Sequence, residues 1–582
     1  MKVRLAETTK GLQCTGAIFK VTLHVISLIS IVTMSEITSH ATPFSDWTTV
    51  VNNAFVAPGA GSKAFFSYNQ PSINDSGTVV FRARAKASGG KGQGGPTSGI
   101  FTRDMSFANA PIVAIAVRGD EIPSPNNITK PGLATFNEFP SFPRIDTSSN
   151  ALAFRGQSQP SWNVVLGEGE ETRSGTSGLY ATTDDGSLST AIRNIEAVGG
   201  FSHYLVPGQS DIRFEQYPGA PSPTGSLIAF KGNSTDSDGN GQTGVYYRDL
   251  EANNGQSPVV EIAKRGDEIP EEALPEGMTS AVFGSTAPPS AAAGKMVFTG
   301  LDNEDSPTAG GIFMADLVEN STLTTIAGFN TKVPNAQNFT LSAFGEGLSF
   351  DGRYVGFWAG WGDDTFQKYV ECASDGNSAL TAACLAQDDN GTANDGIYTF
   401  DVVANQGIFL ADSLTESLFL VAQTGDLYED FLFWNFSGKP SDAGQGDDND
   451  EAESARWRSS AFLAIDGNDV VFKALSTAGE TGLYGALDVT EQFVYDDLFT
   501  ILTTGMDGSF LDPMATGLPI VSLGVERDGF RNGRLAINAS MDNGDETWAG
   551  VYVAPVPEPS TFLLLGSGLA GLGFVVRRRR KG

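Results

Sequence analysis

Histidine and cysteine are scarce in this 582-residue chain, which has three of each. Two of the histidines, His24 and His40, fall in the first 41 residues, so the body keeps only His203. That removes histidine-based triads and histidine-rich zinc sites from consideration. Basic residues are also few, 37 Lys and Arg against 68 Asp and Glu, for a net charge of −31. A nucleic-acid partner, whose phosphates demand a basic surface, is excluded on that balance. The sequence has no phosphate-binding glycine loop and no dinucleotide fingerprint. What is abundant is glycine, 68 residues, with 28 prolines. That suits a turn-dense all-β chain. Apolar content of 40% and charged content of 18% are globular.

The two ends read as processing signals. Lys2, Arg4, Lys10 and Lys20 precede the apolar run Val21–Met34, and Ser39-His40-Ala41 follows with small residues at the cleavage positions. Residues 1–41 are a secretory signal peptide. At the other end Pro557, Glu558 and Pro559 precede the apolar stretch Thr561–Val576, then Arg577–Arg580 and Lys581. Its 16 residues lie just under the ~17–25 of a membrane span, and the basic cluster holds the tail on the cytoplasmic side. The segment 557–582 resembles the PEP-CTERM sorting signal of Gram-negative bacteria. The resemblance implies a transmembrane helix held transiently in the inner membrane and recognition by an exosortase-type protease. It also implies delivery to the cell surface or exopolysaccharide matrix.

Residues 1–41 take four basic and two acidic residues with them, and 557–582 take five and one, which leaves 28 basic and 65 acidic residues in 42–556. Such a surface repels polyanions and attracts cations. Cys372 and Cys384, 12 apart in a polar insertion of an exported protein, are expected to form a local disulfide.

The body 42–556 repeats. A glycine followed by an aliphatic and an aromatic residue occurs at Gly99-Ile100-Phe101, Gly178-Leu179-Tyr180, Gly244-Val245-Tyr246, Gly311-Ile312-Phe313, Gly396-Ile397-Tyr398, Gly482-Leu483-Tyr484 and Gly550-Val551-Tyr552. Each follows an apolar strand ending at Phe81, Phe154, Phe230, Phe298, Phe357, Phe472 or Ile537. These anchors are 73, 76, 68, 59, 115 and 65 residues apart. A third strand comes after the motif, and a fourth comes before the anchor, near 71–75, 142–146 and Ala281-Val282-Phe283. Four short strands per cycle in tandem predict a β-propeller. The last cycle lacks its final strand, and Trp47–Val51 is a strand with no predecessor. Pairing the two closes a ring of seven blades, with an eighth able to hide in the 115-residue interval. The repeats resemble propeller-repeat surface proteins of bacteria that carry this tail.

The loops between second and third strands are acidic: 167–171, 236–241, 302–305, 388–395 and 542–546. The connections between blades add Asp120, Glu121, Asp267, Glu268 and the run 447–453. Both sets belong to one face of the ring. Asp236, Asp238 and Asn240 with Gly241 match the start of a calcium loop, with Tyr247 where its last glutamate belongs. Calcium is therefore the one cofactor expected. Arg118-Gly119-Asp120 and Arg265-Gly266-Asp267 occupy one repeat position and are explained by the repeat. Trp358 is expected to pack against a neighbouring blade, while Trp361 is left between core packing and stacking on sugar rings. The expected function is a non-catalytic surface or matrix propeller that binds or scaffolds polysaccharide. The alternative is a carbohydrate-active enzyme using carboxylates of the acidic face.

Overall fold

The structure is a computed structural model. It describes residues 44–85, 97–124, 133–158, 162–165, 171–174, 176–183, 186–193, 202–373, 378–387, 396–439, 453–492 and 498–556. The signal peptide, the sorting tail with Pro557, Glu558 and Pro559, and the acidic runs 388–395 and 447–452 lie outside these residues. Seven antiparallel sheets follow one another along the chain. Blades 1 to 6 occupy residues 65–117, 136–193, 222–264, 285–328, 332–423 and 428–503, and blade 7 combines 520–555 with 48–52. Each blade's first strand carries a short segment nearest the axis. These are Ser72–Ile73, Arg144–Ile145, Ser222–Thr224, Ser290–Ala292, Ser349–Phe350, Leu463–Asp466 and Phe530–Arg531. Each touches the next around the circle, and the last touches the first. The fold is a seven-bladed β-propeller.

The ring closes as the chain ends predict. Thr48–Asn52 pairs antiparallel with Thr547–Pro555, with Thr48 opposite Val553 and Asn52 opposite Gly550. Val50 and Val51 are fully buried between blades 7 and 1. The first strand in sequence is thus the outermost strand of the last blade, and it covers the edge that Thr547–Pro555 would otherwise expose.

The repeat motif has a steric cause. A Cβ on Gly99 would lie 2.8 Å from the ring of Phe101, and one on Gly244 2.5 Å from the Tyr246 hydroxyl. The aromatic residue folds back over the glycine two places before it, so only glycine fits. The register slips just after the aliphatic residue, between Ile100 and Phe101, Leu179 and Tyr180, and Val245 and Tyr246, and likewise in later blades. This bulge strengthens the local twist. The motif ring stacks on the anchor, as Phe81 on Phe101 with centroids 5.8 Å apart. A third ring, from the first strand or the segment leading into it, meets it edge-on: Phe65, Phe136, Phe214, Phe283 and Tyr428 for blades 1, 2, 3, 4 and 6, at 4.8–5.2 Å.

Two expectations need correction. The fifth motif is Gly407-Ile408-Phe409, since Phe409 stacks on Phe357 at 5.4 Å and Gly407 lies under the Phe409 ring. Gly396-Ile397-Tyr398 instead begins a long arm, because strands Tyr354–Glu371 and Ile397–Asp412 run past the blade. In blade 4 the segment nearest the axis is Ser290–Ala292, and Val282 makes only an isolated bridge to Glu268. Among the described residues the 115-residue interval holds no eighth blade. It holds the arm and a two-stranded ribbon, Phe433–Lys439 with Glu453–Ser460.

The axis is filled by a buried ionic hub. Four inner strands place serine opposite the residue before the anchor: Ser72, Ser222, Ser290 and Ser349. Blade 2 places Arg144 there. Its guanidinium crosses to blade 4, donating to Pro289 O at 2.9 Å and Ser290 Oγ at 3.1 Å, and meets Asp528 of blade 7 at 2.5 Å. Asp528 also accepts from Arg531 at 2.8 Å, and its carbonyl accepts from Ile73 N of blade 1 at 2.9 Å. Arg531 donates in turn to Phe350 O of blade 5 at 2.9 Å and to Ile465 O of blade 6. All three side chains are buried.

If closure by the N-terminal strand holds the ring, Val51→Asp lowers unfolding stability in urea by more than ~4 kcal/mol, the signature of a charge forced into a core. Val521→Asp, on an exposed position of the same blade, should stay within ~1 kcal/mol. Equal effects of the two substitutions would refute the seam.

Candidate functional site

The ring has two unlike ends. At one, the inner strands turn tightly into the second strands, as at Asn74–Gly77 and Asp351–Arg353. At the other lie the loops between second and third strands and the connections between blades. The two largest insertions among the described residues, the arm between the second and third strands of blade 5 and the ribbon within the broken first strand of blade 6, pack together as a cap. In the arm, Phe366, Lys368 and Val370 face inward while Gln367, Tyr369 and Glu371 face solvent. The helix Ser378–Ala386 is tied back by the disulfide Cys372–Cys384, with Cα atoms 5.9 Å apart. Tyr398 donates its hydroxyl hydrogen to Cys384 O. Arm, helix and ribbon share a small core of Cys384, Tyr398, Phe436 and Ala455, with Val370, Phe400 and Trp457 against it.

Between this cap and blade 6 opens a cleft of about 300 Å³. Its lining is Lys368, Val370 and Glu371 from the arm, Leu432, Phe433, Trp434 and Trp457 from the ribbon, and Leu475 and Thr481 from blade 6. Trp434 stacks on Phe400 with centroids 4.3 Å apart and planes 20° apart, and Trp457 packs edge-on against Phe436 at 5.5 Å. The indole Nε1 atoms of Trp434 and Trp457 are both buried with no hydrogen-bond partner among the described residues. A buried donor left unmade costs ~1–3 kcal/mol, so each is set to gain from an acceptor. Lys368 pairs with the fully buried Asp430 at 2.9 Å. An aromatic wall with Lys368 and Glu371 beside it suits a polyol that offers an apolar face and a hydroxyl rim.

The residues singled out by sequence fall elsewhere. Trp358 is buried as expected and donates to Gln406 Oε1 at 3.1 Å. Trp361 is buried too, edge-on to Phe409 at 5.9 Å, so it offers no sugar-stacking surface. The acidic loops that are described cap their own turns. Asp236 accepts from Asp238 N at 3.0 Å, Asn240 N at 2.8 Å and Gln242 Nε2 at 2.8 Å. Asp302 accepts from Thr308 N and Ala309 N, and Asp542 from Gly544 N. No group of three His, Cys, Asp or Glu is placed to hold a metal ion among the described residues. In both Arg-Gly-Asp copies the aspartate closes a turn: Asp120 accepts from Val117 N and Asp267 from Lys264 N, each at 2.9 Å. The glycine takes positive φ and donates to the next blade. His203 lies in a short 3-10 turn against Tyr204, and burial with Arg248 nearby pushes its imidazole down to about 4. Sequence reasoning missed Trp434 and Trp457, whose signal was the alternation of Trp434 and Phe436 on one ribbon strand and the lone Trp457 on the other.

Residues 555–580 match the PEP-CTERM protein-sorting motif. The chain is thus a seven-bladed propeller bearing a C-terminal sorting motif. That motif marks an exported surface protein, transiently anchored in the membrane and processed by an exosortase-type system. No curated protein matches the chain. Among solved structures it is similar to an oligogalacturonate lyase from Vibrio parahaemolyticus, at 10% identity and TM-score 0.37, covering 88% of this chain and 99% of that one. It is also similar to a Trypanosoma rangeli sialidase, at 10% identity and TM-score 0.30, over 76% and 59%. A third is a periplasmic gluconolactonase of Pseudomonas aeruginosa, at 10% and 0.28, over 74% and 84%. Likenesses this distant carry no argument about activity. No helix among the described residues is long and apolar enough to cross a membrane.

The cap is tied by its own disulfide, so the double variant Cys372→Ser/Cys384→Ser should loosen the cap and spare the ring. For a loop this short the loss is on the order of 3 kcal/mol, confined to the cap. Hydrogen exchange should quicken at 366–371 and 397–402 and stay unchanged in blades 1–4. Uniform acceleration would show that the cap is a structural part of the ring.

Proposed function

We propose that this protein is a non-catalytic binding propeller of the cell surface or exopolysaccharide matrix. It holds polysaccharide in the cleft between cap and blade 6. The observation that carries the reading is the aromatic wall of Phe433, Trp434 and Trp457 along the cleft, formed where the two largest insertions among the described residues meet blade 6. Sugar rings bury their C–H faces on such aromatics. The sorting motif supports the reading, because an exported surface protein meets polysaccharide outside the cell. The tail is the substrate of the exosortase-type protease, with Pro557, Glu558 and Pro559 as its recognition residues.

Calcium enters this reading only at Asp236, Asp238 and Asn240. There the ion would compete with the backbone hydrogen bonds that Asp236 now accepts, so binding is weak and reinforces the turn only at high calcium.

A glycan array of residues 42–556, run with calcium and again with chelator, tests the proposal. Binding of a defined sugar class is expected, reduced at least tenfold in Trp434→Ala and Trp457→Ala, each worth ~1–3 kcal/mol per stacked ring. Calcium should matter little, and Asp236→Asn should not abolish binding. Product release from a bound polysaccharide, or binding indifferent to both tryptophans, would contradict the reading.

A further inference from the structure

The residue just after each anchor is Arg82, Arg155, Lys231, Thr299, Trp358, Lys473 or Asn538 around the ring. Four of the seven are cationic in a chain where acids outnumber bases almost two to one. This position lies where the first strands break. Thr299 donates to Gly345 O of the next blade's first strand at 2.7 Å, and Asn538 sits between Gly524 of its own first strand and Gln70 of the next. The seven positions therefore encircle the axis toward its loop end.

Three of the cations have no carboxylate at ion-pair distance among the described residues. Arg82 is 7% exposed and its Nε has no hydrogen-bond partner among them; Glu138 stands near it without pairing with it, and Arg84 adds a like charge. Glu304 and Glu346 stand near Lys231 without pairing with it, and Glu304 is already paired with Arg456 at 2.6 Å. Lys473 lies over the rings of Phe433 at 4.1 Å and Phe462 at 5.5 Å. Burial lowers the proton affinity of all three, the Arg82 guanidinium to about 10 and the Lys473 amine to about 8. Desolvating a cation is costly unless it is paired. With 68 acidic residues in the chain, three such cations at equivalent positions call for a counter-charge from outside.

We propose that the loop-end mouth of the ring binds an oxyanion-bearing saccharide, its carboxylate or phosphate groups seated on Arg82, Lys231 and Lys473. The acidic rim repels polyanions at long range while these cations select the anion at contact. One small anion meets one cation, and an extended acidic chain across the mouth meets several, so affinity grows with length. The inference does not rest on the tryptophan cleft.

Titration calorimetry of residues 42–556 with a mannuronate hexamer, the mannuronate monomer, maltohexaose and inorganic phosphate tests it. The hexamer should bind at least tenfold more tightly than the monomer, and maltohexaose should be silent at the mouth. Lys231→Met, Lys473→Met and Arg82→Gln should each weaken the hexamer at least fivefold. Neutralising an unpaired buried cation should leave the urea midpoint unchanged or raised, which a structural cation would not do. Phosphate binding lost in the same variants, without uronate binding, would keep the site and assign phosphate as its anion. The proposal is overturned if no anion binds at millimolar concentration, if the triple variant binds like the parent, or if the variants lose stability. Trp434→Ala should leave uronate binding intact, which separates this test from that of the cleft.

Discussion

The carboxylate of Asp528 holds the centre of the molecule. Two guanidiniums, Arg144 and Arg531, converge on it, and their remaining donors go to carbonyls and a serine of blades 4, 5 and 6. With Ile73 N on its backbone carbonyl, the hub ties six of seven blades to one acid. Blade 3 joins through Ser222, which accepts from Ala291 N at 2.8 Å. Burial alone would raise the Asp528 carboxyl; Arg144 and Arg531 outweigh it and hold the carboxyl below the ordinary range. Apolar packing between blades supplies most of the stabilisation, and the hub supplies register.

Closing the axis with a hub leaves the two ends with different work. The turn end is short and self-satisfied. The loop end carries every insertion of size, and two of them, from blades 5 and 6, have grown into a cap with its own core and disulfide. The ring supplies a rigid base on which loops diverge. The cleft and the ring of cations lie at that end, and Phe433 belongs to both, lining the cleft and lying under Lys473.

Much of this was legible in the sequence, for physical reasons. The glycine of the repeat motif is demanded by the aromatic ring folded over it, so the spacing survives in every blade. The stray N-terminal strand and the missing last strand are two halves of one seam. What misled was local resemblance. Gly396-Ile397-Tyr398 has the motif's composition, yet the arm displaces it, and only the pairing of Phe357 with Phe409 identifies the true copy. Asp236, Asp238 and Asn240 look like ligands because calcium loops and capped turns use the same oxygens at the same spacing. The cleft was not legible, since Lys368 and Val370 of the arm and Trp434 and Trp457 of the ribbon meet only when two distant insertions fold together. Nor was the hub, where Arg144 stands in a place four other blades give to serine.

The most direct test of the account is the urea unfolding of Asp528→Asn against the parent from pH 7 to pH 3. The substitution leaves two buried guanidiniums without a charge, at a cost of ~3–5 kcal/mol. The folded carboxyl titrates lower than the unfolded one, so its contribution is full at neutral pH. That contribution is lost as pH falls below ~4 toward the folded value. The account predicts a large gap between the two proteins at pH 7 that narrows on acidification. Equal stability at pH 7 would show that the ring does not depend on its axis.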